Sequence, residues 1–131
     1  MTKAMMIITA IASQYAPGVM EMVVNNRINW GQLSGNWQGH YVAVESCNRI
    51  GEVIWIRRGP EDDWLPVMIA DCSGDRETTN WMRRNNIYLE MDYRLAKEWD
   101  TVGYGIGIQI SEAVPTRVSE AAPVEKKYVA N

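Results

Sequence analysis

Apolar residues alternate with polar ones in six short runs along this chain, and each run predicts a strand. Met5–Ser13 is the first, built on Met-Ile-Ile-Thr-Ala-Ile-Ala. Tyr41–Glu45 is the second. Glu52–Arg57 is the third, apolar throughout Val53-Ile54-Trp55-Ile56, which predicts cover on both faces. Leu65–Asp71 is the fourth. Its Val67, Ile69 and Asp71 lie two apart and are expected on one face, so that an acid sits at the mouth of a core. Ile87–Met91 is the fifth, with Ile87, Leu89 and Met91 aligned. Tyr104–Ile110 is the sixth; Gly105 and Gly107 inside it mark a bend or a close backbone approach.

Between these runs the spacing switches to that of helices. Pro17 suits a first helical position, and Val19, Met22 and Val23 recur at i, i+3, i+4 as the expected inward face, with Ile28 as its extension and Gly31 as its end. A short helix is expected over Thr79–Arg84 with a threonine cap, and another over Tyr93–Trp99 capped by Asp92. Trp55 and Trp99 lie on elements expected to be buried. Trp30, Trp37, Trp64 and Trp81 lie in or near loops, where they either pack over the ends of the fold or stack on sugar rings. From Ser111 to Asn131 alanine, valine, proline and balanced charges predict an extended tail, suited to docking on a neighbouring subunit.

Composition narrows the function classes. In 131 residues there are 13 basic and 16 acidic side chains, a net charge of −3, so no basic face for nucleic acid is expected. No apolar run is long enough to span a membrane. Met1–Ala12 has the positive start, apolar run and Ala-x-Ala ending of a secretion signal in miniature, but its pattern reads as the first strand. Phe is absent while Trp and Tyr number six each, side chains suited to cores and to sugar-binding surfaces alike. Cys47 and Cys72 could pair or stay free; a pair implies an oxidising compartment. With His40 the single histidine, expected on a surface loop, no metal site or cofactor is expected.

The order of several short motifs resembles the RlpA-like double-psi β-barrel family, whose fold is shared with barwin and expansin domains. Ala12-Ser13-Gln14-Tyr15 is similar to its Ala-Ser-x-Tyr, and Val44–Gly51 to its Ala-His-Arg-Thr-Leu-Pro-Leu-Gly. Ile69–Gly74 is similar to its apolar-x-Asp-Arg-Gly-Pro, and Leu89–Ala96 to its Ile-Asp-Leu-Ser-x-x-Ala-Ala. The resemblance implies a six-stranded double-psi β-barrel over residues 1–110 with two or three short helices, followed by the tail 111–131. It also implies binding of cell-wall glycan strands, peptidoglycan above all, with lytic-transglycosylase-like cleavage in some members. Asp71 stands at the family's catalytic Asp, Glu45 at its His, and Glu90 where an Asp is usual.

The expected chemistry is therefore a carboxylate pair, Asp71 as acid and Glu45 as its partner, each shifting the other's pKa. Two plainer readings stand beside it. Asp71 could cap a turn on the amides of Ser73 and Gly74, and Glu45 could pair with Arg49 or Arg57. Tyr15, Trp37, Tyr41, Trp64, Trp81 and Glu90 complete the expected substrate-contacting set. Expected partners are glycan strands and a second copy held through the tail. The expected location is extracellular, periplasmic or virion-associated. The alternative is a non-catalytic structural subunit of a virion or filament.

Overall fold

The computed structural model describes residues 6–115 and 124–130. Met5, the start of the signal-like segment and Pro123 lie outside them. Seven strands form one sheet: β1 Met6–Gln14, β2 His40–Val44, β3 Val53–Arg57, β4 Leu65–Cys72, β5 Ile87–Met91, β6 Ile106–Ser111 and β7 Val124–Lys127. Three α-helices accompany them, α1 Val19–Asn29, α2 Arg76–Arg84 and α3 Tyr93–Glu98, with a 3₁₀ turn over Cys47–Arg49.

The strands run in the order β5-β2-β4-β3-β6-β1-β7, and β5 pairs back onto β1, so the first six strands close into a ring. Within it β1 and β5 are parallel, as are β2 and β4, while the other four neighbours are antiparallel. Closure removes the free edges that an open sheet would expose. Ala12, Val42, Val44, Ile54, Ile56, Ile69, Leu89, Met91 and Ile110 fill the interior, with Leu95 and Ala96 of α3 packed among them. Each large aliphatic side chain buried there contributes about 2 kcal/mol.

Four local expectations are corrected. Ile54 and Ile56 of β3 are buried but Val53 and Trp55 are only partly so, because β3 turns one face outward. Gly18 adopts φ 79° just before α1, which places Pro17 outside the helix. α1 buries Met20 and Val24 and leaves Val19 and Met22 at the surface; the Met20–Val24–Ile28 stripe is the one that meets the sheet. Asp75, not a threonine, caps α2, accepting from the Thr78 amide at 2.7 Å. Gly105 does mark a close approach, since a Cβ there would stand 3.3 Å from Ile11.

The chain beyond Ser111 is more than an extended tail. β7 lies parallel to β1, the Tyr128 amide donates to the Thr9 carbonyl at 2.7 Å, and the Tyr128 ring meets Tyr88 edge-on at 5.1 Å. Residues 124–128 dock on their own chain, because the first half of β1 offers an edge that β5 leaves uncovered.

Candidate functional site

A bulge in β4 decides where Asp71 points, and a register shift decides what stands opposite Glu90. Val42 pairs with Ile69 and Ala43 pairs with Asp71, so Ala70 is an extra residue in β4. In a regular strand Asp71 would follow Val67 and Ile69 to the interior. The extra residue turns it outward, onto the face covered by α1, where Ala43 and Ala70 pack beneath Met20, Val24 and Leu33. A second shift, between Ile11 and Ala12, brings Ser13 opposite Glu90.

The registers place a row of four residues across four neighbouring strands. Asp71 stands opposite Ala43, Ala43 opposite Glu90, and Glu90 opposite Ser13. Opposite residues share a face, so the two acids flank the small Ala43, their backbones about 10 Å apart. Tyr41, two residues before Ala43, is on the same face and packs under α1. Tyr15 follows directly after β1, tied down by its amide to the Met91 carbonyl at 2.8 Å.

Asp71 is not a turn cap. Its Oδ2 accepts from the Tyr15 hydroxyl at 2.6 Å, and its Oδ1 accepts from Arg27 Nη2 at 2.7 Å. Both members of the ion pair are mostly buried, with side-chain exposures of 15% and 16%. Arg27 also donates through Nη1 to Gln32 at 2.7 Å. Burial, the bond to Asp71 and the charges of Asp71 and Glu90 all push the Tyr15 phenol upward, so it remains a donor. Burial likewise pushes the Glu90 carboxyl above its usual range, against the opposing hydrogen bond from Ser13, and the Asp71 charge adds to the upward effect.

A small pocket of about 150 Å³ opens at Asp71, walled by Val23, Asn26, Arg27 and Trp30 of α1 and the residue after it. Trp30 is 68% exposed. One polar atom close to this site, Arg27 Nε, is buried without a hydrogen-bond partner among the described residues. Such groups are costly unless water or a ligand satisfies them.

Comparison with known proteins yields no match: no family model, no curated protein and no solved structure matches this chain.

Glu45, the expected partner of Asp71, is engaged elsewhere. Arg83 of α2 forks onto it, with Nε 3.1 Å from both carboxylate oxygens and Nη2 as a further donor. That bond holds the Glu45 carboxyl below its usual range. Neither Arg49 nor Arg57 takes Glu45: Arg49 pairs with Glu52 and Glu112, and Arg57 donates to Gln109. The carboxylate that faces Asp71 across Ala43 is Glu90.

His40 is not a surface-loop residue. It opens β2, is 9% exposed, and lies between two carboxylates, Nδ1 at 3.0 Å from Asp92 and Nε2 at 3.0 Å from Glu98. The bond to Asp92 raises its pKa against the opposing effect of burial. Asp92 also accepts from the amides of Tyr41 and Leu95, so this cluster locks α3 onto β2, away from Asp71.

The remaining aromatic candidates scatter. Trp37 donates to the His40 carbonyl at 2.9 Å and packs over Gly39, a loop-packing role. Trp81 lies on α2, 41% exposed. Trp64 lies in the β3–β4 connection beneath the Arg57 guanidinium, 4.1 Å from the ring centre. Cys47 and Cys72 are joined in a disulfide, which pins the 3₁₀ turn to the end of β4 directly after Asp71.

Sequence reasoning passed over Arg27 and Ser13. Arg27 is the one cation of α1, beside the Met20–Val24–Ile28 stripe, but a cation so placed ordinarily reaches water, and only the packing of α1 on β4 brings it to Asp71. Ser13 had no readable signal, because its place beside Glu90 depends on the shifted β1–β5 register.

Proposed function

We propose that this chain is a double-psi β-barrel domain that binds cell-wall glycan strands, with Asp71 and Glu90 as its carboxylate pair. The pairing scheme supports the fold: a ring of six strands with parallel β1–β5 and β2–β4 neighbours and a helix after the first strand. The observation that carries the function is the pairing of Asp71 and Glu90 across Ala43 beside a pocket walled by an exposed tryptophan. Sugar rings stack their C–H faces on indoles, while carboxylates and guanidinium groups meet the hydroxyls.

Cleavage, where it occurs, falls to the same pair. Glu90 has the raised pKa of a group able to give a proton to a leaving glycosidic oxygen. Asp71, held by Arg27 and Tyr15, supplies the negative charge that steadies a developing oxocarbenium centre. A transglycosylase needs no activated water, because the sugar's own hydroxyl attacks. The Cys47–Cys72 bridge favours an extracellular, periplasmic or virion-associated setting.

Purified sacculi test the binding. The protein is expected to be retained, and Trp30→Ala to lower retention about tenfold. No retention at any loading overturns the glycan reading. Release of anhydro-muropeptides that stops in Glu90→Gln and in Asp71→Asn marks turnover; release that persists in both removes the pair from the reaction.

A further inference from the structure

A second and larger cavity lies away from the Asp71 pocket. It encloses about 640 Å³ between the β3–β4 connection and the residues after β6. Trp55, Arg57, Glu61, Asp63, Trp64 and Pro115 supply its walls. We infer that this groove is a second saccharide-binding site, sized for more than one sugar ring.

Three observations carry the inference. The first is that the wall side chains are held by neighbours. Arg57 is fixed between Trp64, 4.1 Å below its guanidinium, and Gln109, which accepts from its Nε at 2.7 Å. The connection itself is closed by the Asp62 amide on the Gly59 carbonyl at 3.1 Å and by an Arg58–Asp62 ion pair at 2.7 Å. Arg58 in turn lies over Trp99, 5.4 Å from the ring centre. A ligand therefore meets a preformed surface and has little loop to order.

The second is the outward face of Trp55, which is only partly buried. Its neighbours in β3, Ile54 and Ile56, are completely buried, whereas Trp55 turns outward into the groove opposite Pro66. With Arg57 over one face of Trp64, the flat apolar area left to a ligand is that of the partly buried Trp55 and the uncovered part of Trp64. The third is the mixed polarity of the walls. A cation alone would select an anion, and carboxylates alone a cation. Arg57 together with Glu61 and Asp63 provides donors and acceptors at once, which matches a neutral ring rich in hydroxyls. The volume lies within the roughly 300–1,000 Å³ of small-molecule sites.

The ligand class rests on the glycan reading above, but the site is separate from the Asp71 pocket, so the two stand or fall independently. The test is an NMR titration of the full chain, labelled at the indole nitrogens, with N-acetylglucosamine hexamer and, separately, oligolysine. Signals are assigned with Trp64→Ala, Trp55→Phe and Trp30→Phe. The hexamer is expected to shift the Trp55 and Trp64 signals together with that of Trp30. Trp64→Ala is expected to weaken hexamer binding about tenfold while the Trp30 shift persists, which also reports that the variant is folded. Movement of Trp30 alone overturns the second site and leaves the first. Movement of Trp55 and Trp64 alone supports the groove and removes the Asp71 pocket. Silence at all three overturns both, and a response of Trp64 to oligolysine but not to the hexamer makes the groove a cation site instead.

Discussion

The Tyr15 hydroxyl donates to Asp71 at 2.6 Å across 56 positions of sequence. Arg27 holds the other oxygen of the same carboxylate. Removing either donor leaves a mostly buried acid short of a partner. Arg27→Met is expected to cost about 3 kcal/mol and Tyr15→Phe about 1.5 kcal/mol. Urea unfolding measures both. A loss from Arg27→Met of only about 0.5 kcal/mol, the value of a surface pair, would mean that water already solvates Asp71.

His40 makes stability depend on pH at the neutral end. Its folded pKa is raised above 6.5, so the folded state binds its proton more tightly than the unfolded chain does. The contribution is complete below about pH 6.5 and is lost as pH climbs through the raised value. Asp92, lowered from 3.8, contributes above that pH and loses its share as pH falls through its lowered value. His40→Gln is expected to flatten the alkaline side of the stability profile, read as unfolding free energy between pH 6 and about 9. An unchanged slope there would detach His40 from the effect.

Glu90 acts with the opposite sign to a paired carboxylate. Its folded pKa is raised above 4.5, so ionising it costs more in the folded protein than in the unfolded chain. Stability is expected to fall as pH rises from about 4.5 through the raised value. Glu90→Gln removes that cost, so its melting temperature should exceed that of the parent at pH 7 and match it near pH 4. A lower melting temperature at pH 7 would show that the charged Glu90 is stabilised by its surroundings.

The Cys47–Cys72 bridge closes a loop of 25 residues around β3 and β4. By loop entropy it contributes about 3.5 kcal/mol. Cys47→Ala with Cys72→Ala is expected to lose that amount under non-reducing conditions. Adding reductant should lower the parent toward the double variant and leave the variant unmoved.

Much of the fold was legible. Six strands and α3 with its Asp92 cap follow from alternation and spacing, because burial on one face imposes a period of two on a strand. The site was legible by residue type and misread by direction. Asp71, Tyr15 and Glu90 were singled out from the sequence, yet Asp71 was matched to Glu45. Helix α1 was found but turned, because Val19–Met22–Val23 and Met20–Val24–Ile28 are both apolar and only the sheet chooses between them.

The amino-acid order alone determined which residues carry charge, which alternate, and roughly where six strands lie. Tertiary structure decided which acids meet. One extra residue in β4 at Ala70 reverses the facing of Asp71, and one extra residue in β5 at Tyr88 sets Ser13 beside Glu90. A bulge costs only one ladder position locally, so it leaves no trace in the hydrophobic pattern, but every side chain beyond it changes face.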